Sequence, residues 1–120
     1  MRKPFLLVLL FIIQNAAFSQ DCDSLNKLVN EYYNNAKYIQ ALEVALRKEK
    51  FCYSDTGITK EYVNSMFEIS ELYQATGNIG KAIEYGAKAI KLYKTKFDTL
   101  EHDYLNNLNN TALMYKEAGD

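Results

Sequence analysis

What most constrains this chain is that it repeats itself. Leu72-Tyr73-Gln74-Ala75-Thr76-Gly77-Asn78 returns as Met114-Tyr115-Lys116-Glu117-Ala118-Gly119-Asp120, 42 positions later. Tyr62 and Tyr104 share that spacing of 42, as do Met66 and Leu108. A weaker, earlier copy aligns Tyr32, Tyr38 and Ala41 with Tyr73, Ile79 and Ala82 at a spacing of 41. A fixed period in this range marks a solenoid, in which one unit cannot bury its apolar face alone and stacks on its neighbours. Fold class is thereby narrowed much further than function.

Each unit has the apolar rhythm of a helical pair. Leu25, Leu28, Val29 and Tyr32 fall at i, i+3, i+4 and i+7, and Leu42, Ala45 and Leu46 continue on a second helix. Tyr62, Met66, Ile69 and Tyr73 repeat the first pattern; Ala82, Ile83, Ala89, Ile90 and Tyr93 repeat the second. Gly77-Asn78 between them suits a left-handed backbone that ends one helix and opens the next. Asp98, followed three residues later by Glu101, looks like a capping pair opening a fifth helix. The spacing predicts helices over 24–35, 38–52, 60–75, 79–96 and 100–117, with no strand, so the fold class is all-α.

The N-terminus speaks to compartment. Arg2 and Lys3 precede the apolar run from Phe5 to Ile13, and Ala17-Phe18-Ser19 offers small residues at the positions flanking a cleavage point. This is the three-part layout of an export signal over residues 1–19, cut after Ser19 or Gln20. As a helix the run reaches about 14 Å, too short for a ~30 Å hydrocarbon core. Gln20-Asp21 before Cys22 is unlike the small apolar residues that precede a lipidated cysteine. The expected destination is the periplasm or the medium. Without the signal, 12 basic side chains stand against 15 acidic ones, a net charge of −3 with no basic stripe. Neither nucleic acid nor an anionic membrane fits such a surface.

With these residues in view, the chain resembles a tetratricopeptide-repeat protein. Met66, Ile69-Ser70, Tyr73, Gly77, Ala82 and Ala89 stand where that family has its large, paired, tyrosine, glycine and small positions. The period resembles the longer variant found in kinesin light chains and many bacterial proteins. Leu108-Asn109-Asn110-Thr111-Ala112-Leu113-Met114-Tyr115 is close to that variant's Leu-Asn-Asn-Leu-Ala-Leu-Leu-Tyr signature. The resemblance covers residues 22–120, as repeats over about 22–55 and 60–97 and a partial third over 100–120. It implies an α-α superhelix of about two and a half hairpins. Three departures stand out: Ala36 replaces the glycine of repeat 1, Lys48 replaces a small residue, and Lys94 replaces a frequent proline. Helix 100–117 would leave Leu108, Ala112 and Tyr115 without a hairpin partner, which points to a longer parent, self-association through this end, or a helix folded back as a cap.

The two cysteines fit export. Cys22 stands at the start of the first helix and Cys52 near the end of the second, ends that lie side by side in an antiparallel hairpin. An oxidising compartment favours a bridge over two free thiols, worth roughly 3–4 kcal/mol by chain entropy. His102 is the only histidine and is far from both cysteines, so no metal site is expected. Ser54-Asp55 and Ser70-Glu71 have no histidine to complete a relay, Glu68 and Glu71 read as a solvated pair, and Gly77-Asn78-Ile79-Gly80 is a turn. No catalytic residue and no cofactor is expected.

Binding is the better expectation. In the family this chain resembles, the first helix of each hairpin lines a concave surface. Position by position, that surface holds Asn26, Asn30, Tyr33 and Asn34, then Asn64, Phe67, Glu71 and Gln74, then Asn106, Asn109, Leu113 and Lys116. Carboxamides both donate and accept, so a row of them can hold the backbone of an extended peptide, with Tyr33 and Phe67 as apolar anchors. The competing reading is that these asparagines only solubilise an exposed face. The resemblance implies an exported scaffold that binds a protein or peptide. Its alternative is the sensory or docking arm of a larger enzyme, similar to CHAT-type proteases or sensor histidine kinases, with its chemistry beyond Asp120.

Overall fold

A computed structural model describes residues 21–53 and 57–119; the expected export signal lies outside the described residues. These form five α-helices and no strand: α1 (Cys22–Asn34), α2 (Tyr38–Cys52), α3 (Lys60–Ala75), α4 (Ile79–Lys96) and α5 (His102–Glu117). The main packing is between each helix and the next in sequence. The protein is all-α.

Two of the connections are built alike. After α1, Lys37 N–H donates to the Tyr32 carbonyl at 2.8 Å and Ala36 N–H to the Tyr33 carbonyl at 3.0 Å. After α3, Asn78 N–H donates to Tyr73 at 2.8 Å and Gly77 N–H to Gln74 at 3.1 Å. This paired closure satisfies the last carbonyls of a helix and needs a left-handed residue just past its end. Gly77 supplies it at φ 88°, and so does Gly119 at 87° after α5. Ala36 supplies it at 57°, the one non-glycine residue with positive φ among those described. The turn after α1 forms at the cost of a strained alanine.

The helix bounds expected at 38–52, 60–75 and 79–96 are those of α2, α3 and α4. α1 begins two residues earlier than expected because Asp21 caps it, accepting from Ser24 N–H at 2.7 Å. α5 begins later, and the expected Asp98–Glu101 capping pair is corrected. Asp98 accepts from Leu100 N–H at 3.0 Å, closing a turn ahead of the helix. Glu101 is the N-cap residue without a side-chain cap bond; its carboxylate instead accepts from Lys60 and the Tyr93 hydroxyl.

Two apolar clusters hold the helices together, and α3 belongs to both. Leu25 and Val29 of α1 and Ala41, Val44 and Ala45 of α2 meet Ile69 and Leu72 of α3. Val63, Met66 and Phe67 of α3 meet Ala89 and Tyr93 of α4 and Tyr104 of α5. Fully burying one such large side chain contributes roughly 1.5–3 kcal/mol. The approach is close where side chains are smallest: a Cβ on Gly86 would sit 2.8 Å from Thr111 Oγ1 and 3.1 Å from Ser70 Oγ. Ser70 donates to the Ala82 carbonyl at 2.5 Å, so it is buried with its hydroxyl satisfied.

A disulfide joins Cys22 to Cys52 with Cα atoms 5.8 Å apart, tying the start of α1 to the end of α2. At the other end, α5 buries Tyr104, Thr111 and Met114 and leaves Leu105, Leu108, Ala112 and Tyr115 exposed. Among the described residues no helix is long and apolar enough to cross a membrane.

Candidate functional site

Helices α1, α3 and α5 together line a groove of about 470 Å³. α1 contributes Val29, Asn30 and Tyr33; α3 contributes Asn64, Phe67, Glu68 and Glu71; α5 contributes Asp103, Asn106, Asn107 and Asn110. The reason these residues meet is periodic. Asn64, Phe67, Glu68 and Glu71 fall at i, i+3, i+4 and i+7 on one face of α3, and Asp103, Asn106, Asn107 and Asn110 do the same on α5. A smaller concavity of about 400 Å³ shares Tyr33, Glu71 and Asn110 with the groove and adds Tyr38, Gln74 and Ala75. The two form one continuous trough.

Of the twelve residues expected on the concave surface, Asn30, Tyr33, Asn64, Phe67, Glu71 and Asn106 line the groove, and Gln74 lines its extension. Phe67 is not the exposed anchor that was expected. It is 3% exposed and packed in the α3–α4–α5 cluster, so it forms the floor. Asn26, Asn34, Asn109, Leu113 and Lys116 lie outside the trough and are exposed. On α5 the wall is made instead by Asp103, Asn107 and Asn110, which turn toward α3. Asn109 and Lys116 sit further round the helix, away from it. A helical wheel centred on Asn106 holds that information; the carried-over positions did not.

The electrostatics begin with Lys48. α2 places this lysine in the interior, 6% exposed. Its Nζ donates to Asn26 Oδ1 at 2.9 Å and to Glu68 Oε1 at 3.4 Å. A buried ammonium needs such partners, so Asn26 is committed to Lys48 and Glu68 is held by an internal cation. Glu71, one turn along, receives only the Asn110 amide at 3.4 Å. Burial pushes its carboxyl pKa up, and the Glu68 charge adds to that. Burial also raises the Tyr33 hydroxyl, with a further push from Glu71. Tyr33 stands edge-on to Tyr38, ring centroids 5.5 Å apart, and still shows 44% of its surface. Gln74 Nε2 donates to Glu117 Oε2 at 3.1 Å, bridging α3 to α5 across the far end.

Other polar groups lie elsewhere. His102 is exposed at the start of α5, its Nε2 3.1 Å from the Asn106 amide. Glu49, on α2, accepts from the Tyr85 hydroxyl at 3.2 Å, and burial raises its pKa. Among the described residues no three His, Cys, Asp or Glu side chains are gathered so as to hold a metal ion. What the trough offers chemically is carboxamides, carboxylates and a tyrosine edge over an apolar floor. No protein-family model matches the chain, and no curated protein matches it in sequence.

Proposed function

We propose that this chain is an exported scaffold of the tetratricopeptide kind, which binds an extended peptide or a protein segment in the trough along α1, α3 and α5. The observation that carries the reading is the trough itself: the alternate helices α1, α3 and α5 each contribute a stripe to a single concave surface. The recurrence of the left-handed turn at Ala36, Gly77 and Gly119 supports a superhelical array of like units. So do the fully buried alanines Ala41, Ala82 and Ala89, which let paired helices approach. Asn30, Asn64, Asn106, Asn107 and Asn110 bring donors and acceptors to a strip where a peptide backbone has both to satisfy. An oxidising compartment agrees with the Cys22–Cys52 bridge. The apolar stripe of Leu105, Leu108 and Tyr115 adds a second surface, through which copies of the chain self-associate.

The test is chemical-shift mapping of the isotope-labelled, bridged protein against pools of short randomised peptides. The reading expects shifts concentrated on the side-chain amides of Asn30, Asn64, Asn106, Asn107 and Asn110. Shifts confined to the surfaces of α2 and α4, or none at millimolar peptide, would sink it.

A further inference from the structure

The trough is acidic on both walls. Glu68 and Glu71 stand on α3 and Asp103 on α5, and no lysine or arginine is among the residues lining it. Lys48 reaches it from behind and, of these carboxylates, pairs with Glu68. Among the described residues neither Glu71 nor Asp103 takes part in an ion pair. Glu71 is half-buried, and its one donor is a neutral amide at the long end of hydrogen-bonding range. A carboxylate in that position is poorly solvated and poorly compensated, as the upward push on its pKa records. A cationic side chain, carried on its own stem and bearing several donors, complements such a carboxylate.

We propose that the trough selects peptides bearing a lysine or arginine, whose charged head meets Glu71 while its aliphatic stem lies along the Tyr33 ring, with Asp103 adding to the attraction from further along the trough. This rests on the trough being a peptide site and adds what the peptide must carry. Both side chains lay apolar stems on aromatic surface and keep their heads toward charge. The fork of arginine can donate two parallel bonds to the one Glu71 carboxylate, which makes it the better ligand of the two. Phosphorylated and acidic partners are repelled by the same walls.

The experiment compares three randomised peptide pools, with the central residue fixed as arginine, norleucine or glutamate, titrated into the bridged protein. Affinity is read by fluorescence anisotropy and location by the asparagine amide shifts. The arginine pool is expected to bind roughly ten- to a hundred-fold tighter than the norleucine pool, the range of a charge-assisted hydrogen bond. That advantage shrinks with added salt. Glu71→Gln removes most of it, and Asp103→Asn removes a smaller part that fades with added salt. Asp103 is exposed, so its variant tests the idea even if Glu71→Gln folds poorly. Lys48→Met frees Glu68 and strengthens arginine binding. Equal binding of the arginine and norleucine pools in the trough overturns the selection for a cation and leaves the peptide site standing. Binding of every pool outside the trough, or of none, overturns both.

Discussion

Val63 and Met66 of α3 are 0% and 1% exposed, whereas Leu105 and Leu108, 42 positions on in α5, are 46% and 38% exposed. Ser70 and Ala112 differ in the same sense, the first buried and the second open. The two helices carry nearly the same pattern and occupy different surroundings. α3 packs on α2 and on α4, while α5 packs chiefly on α4. An amphipathic repeat thus has two apolar stripes, and a stripe is buried only where a neighbour supplies the opposing surface. Both helices nonetheless send an inner face into the trough, which does not depend on that second stripe.

The sharpest way to break the comparison is to cut equivalent side chains. Met66→Ala should cost roughly 2–5 kcal/mol in urea unfolding, since it opens a cavity between α3, α4 and α5. Leu108→Ala should cost clearly less, about 1 kcal/mol, because its side chain is already partly in water. Equal losses would mean that the α5 stripe is covered in solution. Next in size is Gly86→Ala, at the point where α4 touches both α3 and α5. The added methyl meets Thr111 Oγ1 at 2.8 Å, and we expect a net loss of about 1–2 kcal/mol despite better helix propensity. Thr111→Ala in the same chain should restore part of it, and strict additivity of the two changes would contradict the close contact.

The turns give a smaller effect of opposite sign in the two repeats. Gly77→Ala forces a side chain into a left-handed residue and should cost about 1 kcal/mol, with no steric clash to add because nothing lies within 4 Å. Ala36→Gly relieves the same strain and should gain about 0.5 kcal/mol after the entropy of the freer unfolded chain is counted. Smallest at neutral pH is the Tyr93 hydroxyl, which donates to Glu101 where α3, α4 and α5 meet. Burial first, then the Glu101 bond and charge, push it from 10.0 up to about 12. A raised pKa favours the neutral phenol in the folded state, so its contribution is full below pH 10 and is lost as pH rises through about 12. Tyr93→Phe should flatten that alkaline limb of the stability profile.

The helices were legible because periodicity and turn residues act locally. Gly77 ends α3 through its left-handed backbone and Asn78 opens α4 by accepting from Lys81 N–H, both roles of local residue type that a sequence displays. Two misplacements came from side chains with competing partners. Glu101 was free to cap α5 in sequence terms, but in space Lys60 and Tyr93 take it. Lys48 read as a flaw in the repeat, when it reaches through the hairpin to Asn26 and Glu68. Half of the trough was legible by position along the repeat. Asn107 and Asn110 were not, since they depend on how α5 is rotated about its axis against α3 and α4. Phe67 shows the remaining gap: its place in the repeat puts it on the inner face, but only the packing of α4 and α5 turns it into a floor.

The central claim is that alternate helices α1, α3 and α5 present one shared binding surface, with α2 and α4 as its support. Amide hydrogen exchange of the bridged protein, with and without the arginine-centred peptide pool at saturation, tests this most directly. The account predicts slowed exchange in α1, α3 and α5 with α2 and α4 little changed. Slowing confined to α2 and α4 would contradict it.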